Sequence, residues 1–114
     1  MKAKDQTHYQ KLVIGGQWKK VMKVMSSGTQ QEKDWVLETL GAAAARSDDH
    51  YNHLVEILQS TTDKATQISA IKAMGYTART GAASQLEFLA GHTEDQEILD
   101  ALTEARHTLK TVTK

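Results

Sequence analysis

The feature that most constrains this chain is an apolar helical face that occurs twice and each time closes on a glycine. The first copy reads DWVLETLG and ends at Gly41, and the second reads QISAIKAMG and ends at Gly75. The two glycines are 34 positions apart, and the apolar residues before each follow the three- and four-residue spacing of one helix face. A recurrence of this length is typical of helical-repeat proteins, in which each unit is a pair of helices.

The same periodicity predicts an all-α chain. Proline is absent, and β-branched or aromatic residues never alternate with polar ones over the length of a strand. The predicted helices lie around Tyr9 to Val13, Trp18 to Met25, 29–47, 50–59, 63–78, 82–90 and 94–112. The predicted helix caps are Thr29 with Glu32 as a capping box, Asp48 or Asp49, and Thr93 with Gln96.

These helices alternate as first and second members of a unit of about 31 to 34 residues. Stacked hairpins bury the stripe that one hairpin alone leaves open, so we predict one domain over 1–114, an α-solenoid of about three hairpins. The units are a degenerate first hairpin (1–28), two repeats (29–60 and 61–91) and a half repeat (92–114). The glycine in each unit should let its second helix approach its first.

We expect the inward positions of all units to form one continuous core. These positions are Leu37, Leu40, Leu54, Val55, Leu58, Ile68, Ile71, Met74, Leu86, Leu89, Leu102 and Leu109.

The stretches LETLGAAAARSDDHYNHLVEIL and IKAMGYTARTGAASQLEFL resemble HEAT repeats, particularly the short bacterial HEAT-like repeats related to the bilin-lyase type. The resemblance covers roughly residues 30 to 110 and concerns packing positions rather than catalytic ones. It implies a right-handed stack of helical hairpins that serves as a binding scaffold. The proline usual in the first helix of the family's repeat is missing.

Composition excludes several classes of function. The chain has 14 Lys plus Arg, 14 Asp plus Glu and no cysteine, so disulfides, thiol nucleophiles and cysteine-ligated zinc are excluded. No window approaches the roughly 18 apolar residues of a membrane span, and the amino terminus lacks the apolar run of a signal peptide. We therefore expect a cytoplasmic protein without membrane attachment.

Charge is unevenly distributed along the chain. Residues 1–25 hold six lysines and one aspartate, which gives +5 and leaves −5 for the remainder. Lys19, Lys20 and Lys23 crowd one predicted helix beside Trp18, a combination that can hold phosphate and stack a base. The alternative, which we favour, is a solvated lysine face opposite a core stripe, with Trp18 in the core of the first hairpin.

Histidines and arginines form two further candidate patterns. His50 and His53 lie one helical turn apart, a spacing that can present two nitrogens to a metal, although a polar helix start explains them more simply. Arginines recur near the ends of successive first helices and would line one edge of a stack as an anion-binding ladder. The simpler explanation is the favourable placement of cations at helix carboxyl ends. The three are Arg46, Arg79 and Arg106.

Trp35 and the last helix are candidate contact surfaces. Trp35 lies roughly opposite Leu37 on its helix, so it either fastens the helix start to the preceding hairpin or contacts a partner. The last helix has no second helix after it, yet it remains apolar from Leu99 to Val112. We expect part of that face to stay open for self-association or for a partner, unless its polar residues make it a simple cap.

The prediction is therefore a non-catalytic scaffold or adaptor that binds another protein and needs no cofactor. The motifs of metalloproteases, α/β-hydrolases and P-loop enzymes are absent. The alternatives are a nucleic-acid-associated protein that uses the basic first hairpin, and a metal-dependent enzyme. The candidate partner-binding residues are Trp35, Lys19, Lys20, Lys23, Arg46, Arg79, Leu109 and Val112.

Overall fold

Helices form at the seven places that the apolar spacing predicts. The computed structural model of the chain describes residues 5–112, and all regular structure within them is α-helical, which confirms the all-α class. The helices are α1 (Gln6–Ile14), α2 (Trp18–Ser27), α3 (Gln30–Ala44), α4 (Asp48–Ser60), α5 (Lys64–Gly75), α6 (Thr80–Ala90) and α7 (Gln96–Val112). Within this range no helix combines the length and the apolarity needed to cross a bilayer.

The predicted capping box at the start of α3 is confirmed. The backbone N–H of Glu32 donates to Thr29 Oγ1 at 3.1 Å, and the backbone N–H of Thr29 donates to Glu32 Oε1 at 2.8 Å. Two orphan donors of the first turn are thereby satisfied. Thr29 has the extended backbone that this position requires, so the local sequence alone was enough to place the helix start.

Two other helix starts differ from the prediction. Ser47, rather than Asp48 or Asp49, caps α4 and accepts the backbone N–H of His50 at 3.3 Å. Asp95, rather than Thr93, accepts the backbone N–H of Glu97 at 2.9 Å at the start of α7. In both places several small polar residues are adjacent, and the one with the right backbone geometry becomes the cap.

The helices pack as two layers. Layer A contains α1, α3, α5 and α7, which contact one another in chain order, and layer B contains α2, α4 and α6, which pack against layer A. The core between the layers is one cluster, as predicted, although Val55, Ile68 and Leu89 are only partly buried at its margin. The structure extends 44 × 29 × 19 Å.

The two repeated glycines bring successive helices of layer A together, and not the two helices of one hairpin as expected. A Cβ atom built on Gly41 of α3 would lie 2.6 Å from the carbonyl oxygen of Ala73 in α5. A Cβ built on Gly75 would lie 3.0 Å from the carbonyl oxygen of Ala105 in α7. The glycines therefore set the spacing between successive helices of layer A, because no side chain fits between these backbones.

The open apolar face expected on the last helix is not present at Leu102 and Leu109. These side chains are 1% and 5% exposed, because α7 packs against both α5 and α6 rather than against one helix only. Leu99 is partly buried against the same core. Val112 ends α7, and its side chain lies outside the described part of the chain.

Candidate functional site

A groove with a cavity volume of about 620 Å³ crosses layer A. It runs over α3, α5 and α7, and we call it the layer A groove. Its lining residues are Asp34, Glu38, Ala42, Ser69, Lys72, Ala73, Tyr76, Glu104, Ala105 and Thr108. A volume of this size is within the usual range of ligand and peptide sites.

The groove follows from the close approach of the three helices. Where α3, α5 and α7 meet, Gly41 and Gly75 face alanine backbones, so Ala73 and Ala105 form a mostly buried floor. Longer side chains stand on either side of this floor. The helix contacts that need small residues thus also leave an open space in front of them.

Charge at the rim of the groove is predominantly negative. Asp34, Glu38 and Glu104 are three carboxylates, and Lys72 supplies the single ammonium group among the lining residues. Glu38, Lys72 and Glu104 are exposed, so their charges face solvent at the mouth of the groove. This arrangement attracts cationic groups and steers them toward the floor.

Asp34 differs from the other two carboxylates because it is held in place. Its Oδ1 accepts the hydroxyl of Ser69 at 2.6 Å and the side-chain amide of Gln30 at 2.9 Å. The hydrogen bond from Ser69 joins α5 to α3. It adds a polar contact to the close approach of these two helices at Gly41. Asp34 therefore presents a fixed charge at the edge of the groove.

Tyr76 places an aromatic ring at the same surface. It follows the last residue of α5 and is 59% exposed, one of three large apolar side chains among residues 5–112 that remain so open. A tyrosine combines a large apolar ring with a hydroxyl, and this type of residue often anchors protein interfaces. None of the partner-binding residues selected from the sequence lines this groove.

A signal for the groove was nevertheless present in the sequence. Glu38 and Lys72 are 34 positions apart, and Lys72 and Glu104 are 32 apart, which is the repeat spacing. The three residues therefore occupy equivalent positions on successive helices of layer A. If exposed charged residues are compared at the repeat spacing, as the apolar residues were, these three align on one surface.

The histidine pair joins the first hairpin to α4. His50 Nε2 lies 2.7 Å from the carbonyl oxygen of Val13, and its Nδ1 lies 2.7 Å from Ser47 Oγ. His53 stacks on the ring of Trp18 with centroids 3.7 Å apart. Among the described residues, no group of three or more His, Cys, Asp or Glu side chains is arranged to hold a metal ion.

Trp18 was expected in the core of the first hairpin. It lies instead between that hairpin and α4. It is partly buried, and besides the His53 stack its indole N–H donates to Asp49 at 3.0 Å. A tryptophan at the start of a helix can reach the neighbouring hairpin because its ring extends well beyond its own turn. The ring is therefore engaged by α4.

Two of the three arginines of the proposed ladder form ion pairs within the chain. Arg79 donates to the carbonyl oxygen of Ala44 and to Asp48, both at 2.7 Å, and its guanidinium lies 5.0 Å from the Tyr51 ring centre. The second is Arg106, whose guanidinium lies 3.5 Å from a Glu87 carboxylate oxygen. Arg46 is exposed. An anion would have to compete with these carboxylates, so the arginines serve mainly to join helices.

Trp35 packs against the first hairpin. Its ring lies 5.7 Å from the ring of Tyr9 in α1, the contact expected if Trp35 fastens α3 to that hairpin. The buried Tyr9 hydroxyl donates to Glu32. This hydrogen bond to a carboxylate, together with burial, raises the pKa of Tyr9 to about 12.

The basic residues of α2 face solvent. Lys19, Lys20 and Lys23 are all exposed, whereas Val21 is buried. The first turn of α2 contains no acidic residue, and its sequence WKKVMKVMSS contains none elsewhere. The structure thus has one exposed basic surface in layer B and one exposed acidic groove in layer A.

Compared with known proteins, the chain matches no family model, no curated protein and no solved structure. The resemblance to HEAT repeats is therefore still a prediction, and so are the functions that it implies. The surfaces described above are the basis on which a function can be inferred.

Proposed function

We propose that this chain is a right-handed stack of HEAT-like hairpins that binds another protein in the layer A groove, without a catalytic role. The chain order of the contacts within layer A supports the stack. So does the recurrence of the glycine contact, from Gly41 with Ala73 to Gly75 with Ala105, after 34 and 32 positions.

The observation that carries the binding proposal is the combination of three properties in one groove. The groove spans three successive helices, its floor is alanine, and an exposed aromatic ring stands beside a negative rim. A floor of alanine accepts an apolar side chain, and the rim selects a segment that also carries Lys or Arg. The partner class is therefore a protein segment with interspersed basic and apolar residues.

Selection from a random peptide library on the immobilised chain tests this proposal. We expect enrichment of peptides that combine Lys or Arg with an apolar residue, and loss of their binding in the double variant Glu38→Lys with Glu104→Lys. The control is Glu56→Lys with Glu94→Lys, which changes the net charge equally at exposed sites outside the groove. Equal loss of binding in both variants, or enrichment of acidic peptides, would contradict the proposal.

A second candidate function is nucleic-acid binding by α2, which the three exposed lysines favour. The stack of Trp18 on His53 counts against it, because that ring face is not free to stack on a base. Binding to a nucleic acid that weakens steeply with salt, and that is lost on replacing Lys19, Lys20 and Lys23 by glutamine, would favour this alternative.

A further inference from the structure

We infer that one occupant of the layer A groove is a second copy of this chain, which inserts the exposed basic face of its α2. This inference rests on the proposed function, since it takes the groove to be a protein-binding surface. It adds the identity of a partner and the geometry of the contact.

The charges of the two surfaces are complementary. Lys19, Lys20 and Lys23 give α2 three exposed positive charges with no acidic residue in that helix. The groove carries three carboxylates and one ammonium group. Because the chain as a whole has a formal net charge of zero, two copies approach without net repulsion, and the local attraction decides how they orient.

The dimensions of the two surfaces also agree. The 10 residues of α2 correspond to a length of about 15 Å at 1.5 Å per residue. The groove crosses from α3 over α5 to α7, and two helix-to-helix spacings of about 8 to 10 Å span roughly 16 to 20 Å. The length of α2 is therefore close to the width of the groove, although slightly shorter.

We take the contact to be heterologous, because α2 lies in layer B whereas the groove is lined by helices of layer A. No residue of α2 lines the groove, so within one copy the donor surface and the acceptor surface are separate. Each copy can offer its α2 to one neighbour and its groove to another. Such head-to-tail contacts produce rings or open chains rather than a symmetric dimer.

Two neutralised variants test the inference by sedimentation velocity. The basic-face variant is Lys19→Gln with Lys20→Gln and Lys23→Gln, and the groove variant is Glu38→Gln with Glu104→Gln. All five side chains are exposed, so both variants should keep the helical circular dichroism of the parent protein. Glutamine is used because charge reversal on both sides would create a new complementary pair.

We expect the parent protein to form assemblies larger than a dimer at about 0.01 M salt, where the Debye length is about 30 Å, and to dissociate near 1 M, where it is about 3 Å. Each variant alone should be monomeric at both salt concentrations. Their mixture should give a 1:1 dimer and nothing larger, because only one intact groove and one intact basic face remain. The control Glu56→Gln with Glu94→Gln should still assemble.

A parent protein that stays monomeric at low salt would overturn the inference, and so would a mixture that yields no dimer or a control that dissociates as the groove variant does. Peptide selection separates this failure from that of the proposed function. If the parent is monomeric but the groove still selects basic peptides through Glu38 and Glu104, the second copy is rejected and the binding groove stands. If both experiments fail, both proposals fall.

Discussion

Successive helices of layer A are joined in two different ways. At α3 with α5 and at α5 with α7, glycine lies against alanine and the two backbones nearly touch. At α1 with α3 there is no such glycine, and the contact includes the Tyr9 and Trp35 rings and the hydrogen bond from the Tyr9 hydroxyl to Glu32. Large side chains thus hold α1 against α3, whereas small residues allow α3 to pack against α5 and α5 to pack against α7.

The difference explains where the groove lies. Its lining residues come from α3, α5 and α7, the helices joined through glycine, and none comes from α1. Close backbones leave the small side chains of Ala73 and Ala105 as the floor of the groove, whereas large aromatic rings occupy the joint of α1 with α3. The position of the groove therefore depends on which residues lie between neighbouring helices.

The largest expected loss of stability comes from truncating a buried side chain of α5, the helix that lies between the two glycine joints. Ile71 is completely buried in α5, the helix shared by both joints, so Ile71→Ala should lower the free energy of unfolding by about 2 to 5 kcal/mol. Urea unfolding followed by circular dichroism measures this loss. The neighbouring exposed variant Lys72→Ala should change stability by no more than about 0.5 kcal/mol. A similar loss in both would show that α5 is not the centre of the core.

Gly41→Ala should break the tighter joint directly. Alanine gains about 0.5 to 1 kcal/mol over glycine inside a helix, but its Cβ would lie 2.6 Å from a backbone oxygen that cannot turn away. Overpacking of this kind costs about 1 to 3 kcal/mol, so we expect net destabilisation of about 1 to 2 kcal/mol.

Gly81→Ala is the matched control for Gly41→Ala. Gly81 is also helical, in the first turn of α6, but the only neighbour within range of its Cβ is the Tyr51 hydroxyl at 3.4 Å. This variant should be neutral or slightly stabilising in the same unfolding experiment. If both variants destabilise equally, the cost does not come from the contact with Ala73.

Tyr9→Phe probes the aromatic joint. At neutral pH it removes one hydrogen bond to a carboxylate that has a second donor in Thr29, so the loss should be about 1 kcal/mol. The pH dependence is more specific. Because folding raises the pKa of Tyr9 from 10.0 to about 12, its contribution is complete below pH 10 and is lost as pH rises toward 12.

The measurement for Tyr9 is the difference in unfolding free energy between the parent and Tyr9→Phe from pH 9 to 12. This difference should shrink across that interval, since phenylalanine does not titrate. A constant difference would mean that the Tyr9 hydroxyl has the same pKa in the folded and unfolded chain.

Gly75→Ala should have the smallest effect and sharpens the comparison between the two glycine joints. Its Cβ would lie 3.0 Å from the Ala105 carbonyl oxygen, 0.4 Å farther than the corresponding distance at Gly41. Gly75 is also the last residue of α5, where a helix former gains little. We expect a change below about 1 kcal/mol by thermal unfolding. A cost above that of Gly41→Ala would show that these distances do not rank the joints.

Several features of the fold could be predicted because they depend on neighbours in the sequence. The seven helices follow from apolar spacing, and the capping box of Thr29 and Glu32 needs only residues three apart. The start of α4 was harder, because Ser47, Asp48 and Asp49 are all suitable caps and the backbone conformation chooses among them. The exposed lysines of α2 were predicted correctly, since Val21 opposite them is buried.

The candidate site was less accessible to sequence reasoning. Leu109 was predicted both as a core residue and as a partner-binding residue, and its burial in the core cluster confirms only the first prediction. Glu38 and Lys72 were not selected from the sequence, since nothing within one helix distinguishes them from other exposed charges. Their significance depends on the alignment of three helices.

By itself the sequence determined which residues of each helix point inward, because a spacing of 3.6 residues per turn places the apolar side chains on one face. Only the tertiary structure decided which helix each face meets. Gly41 and Gly75 could have contacted layer B or the next helix of layer A, and the lowest-energy packing of all seven helices selects layer A. Since that choice depends on contacts more than 30 residues apart in the sequence, the groove exists only once α3, α5 and α7 have packed together.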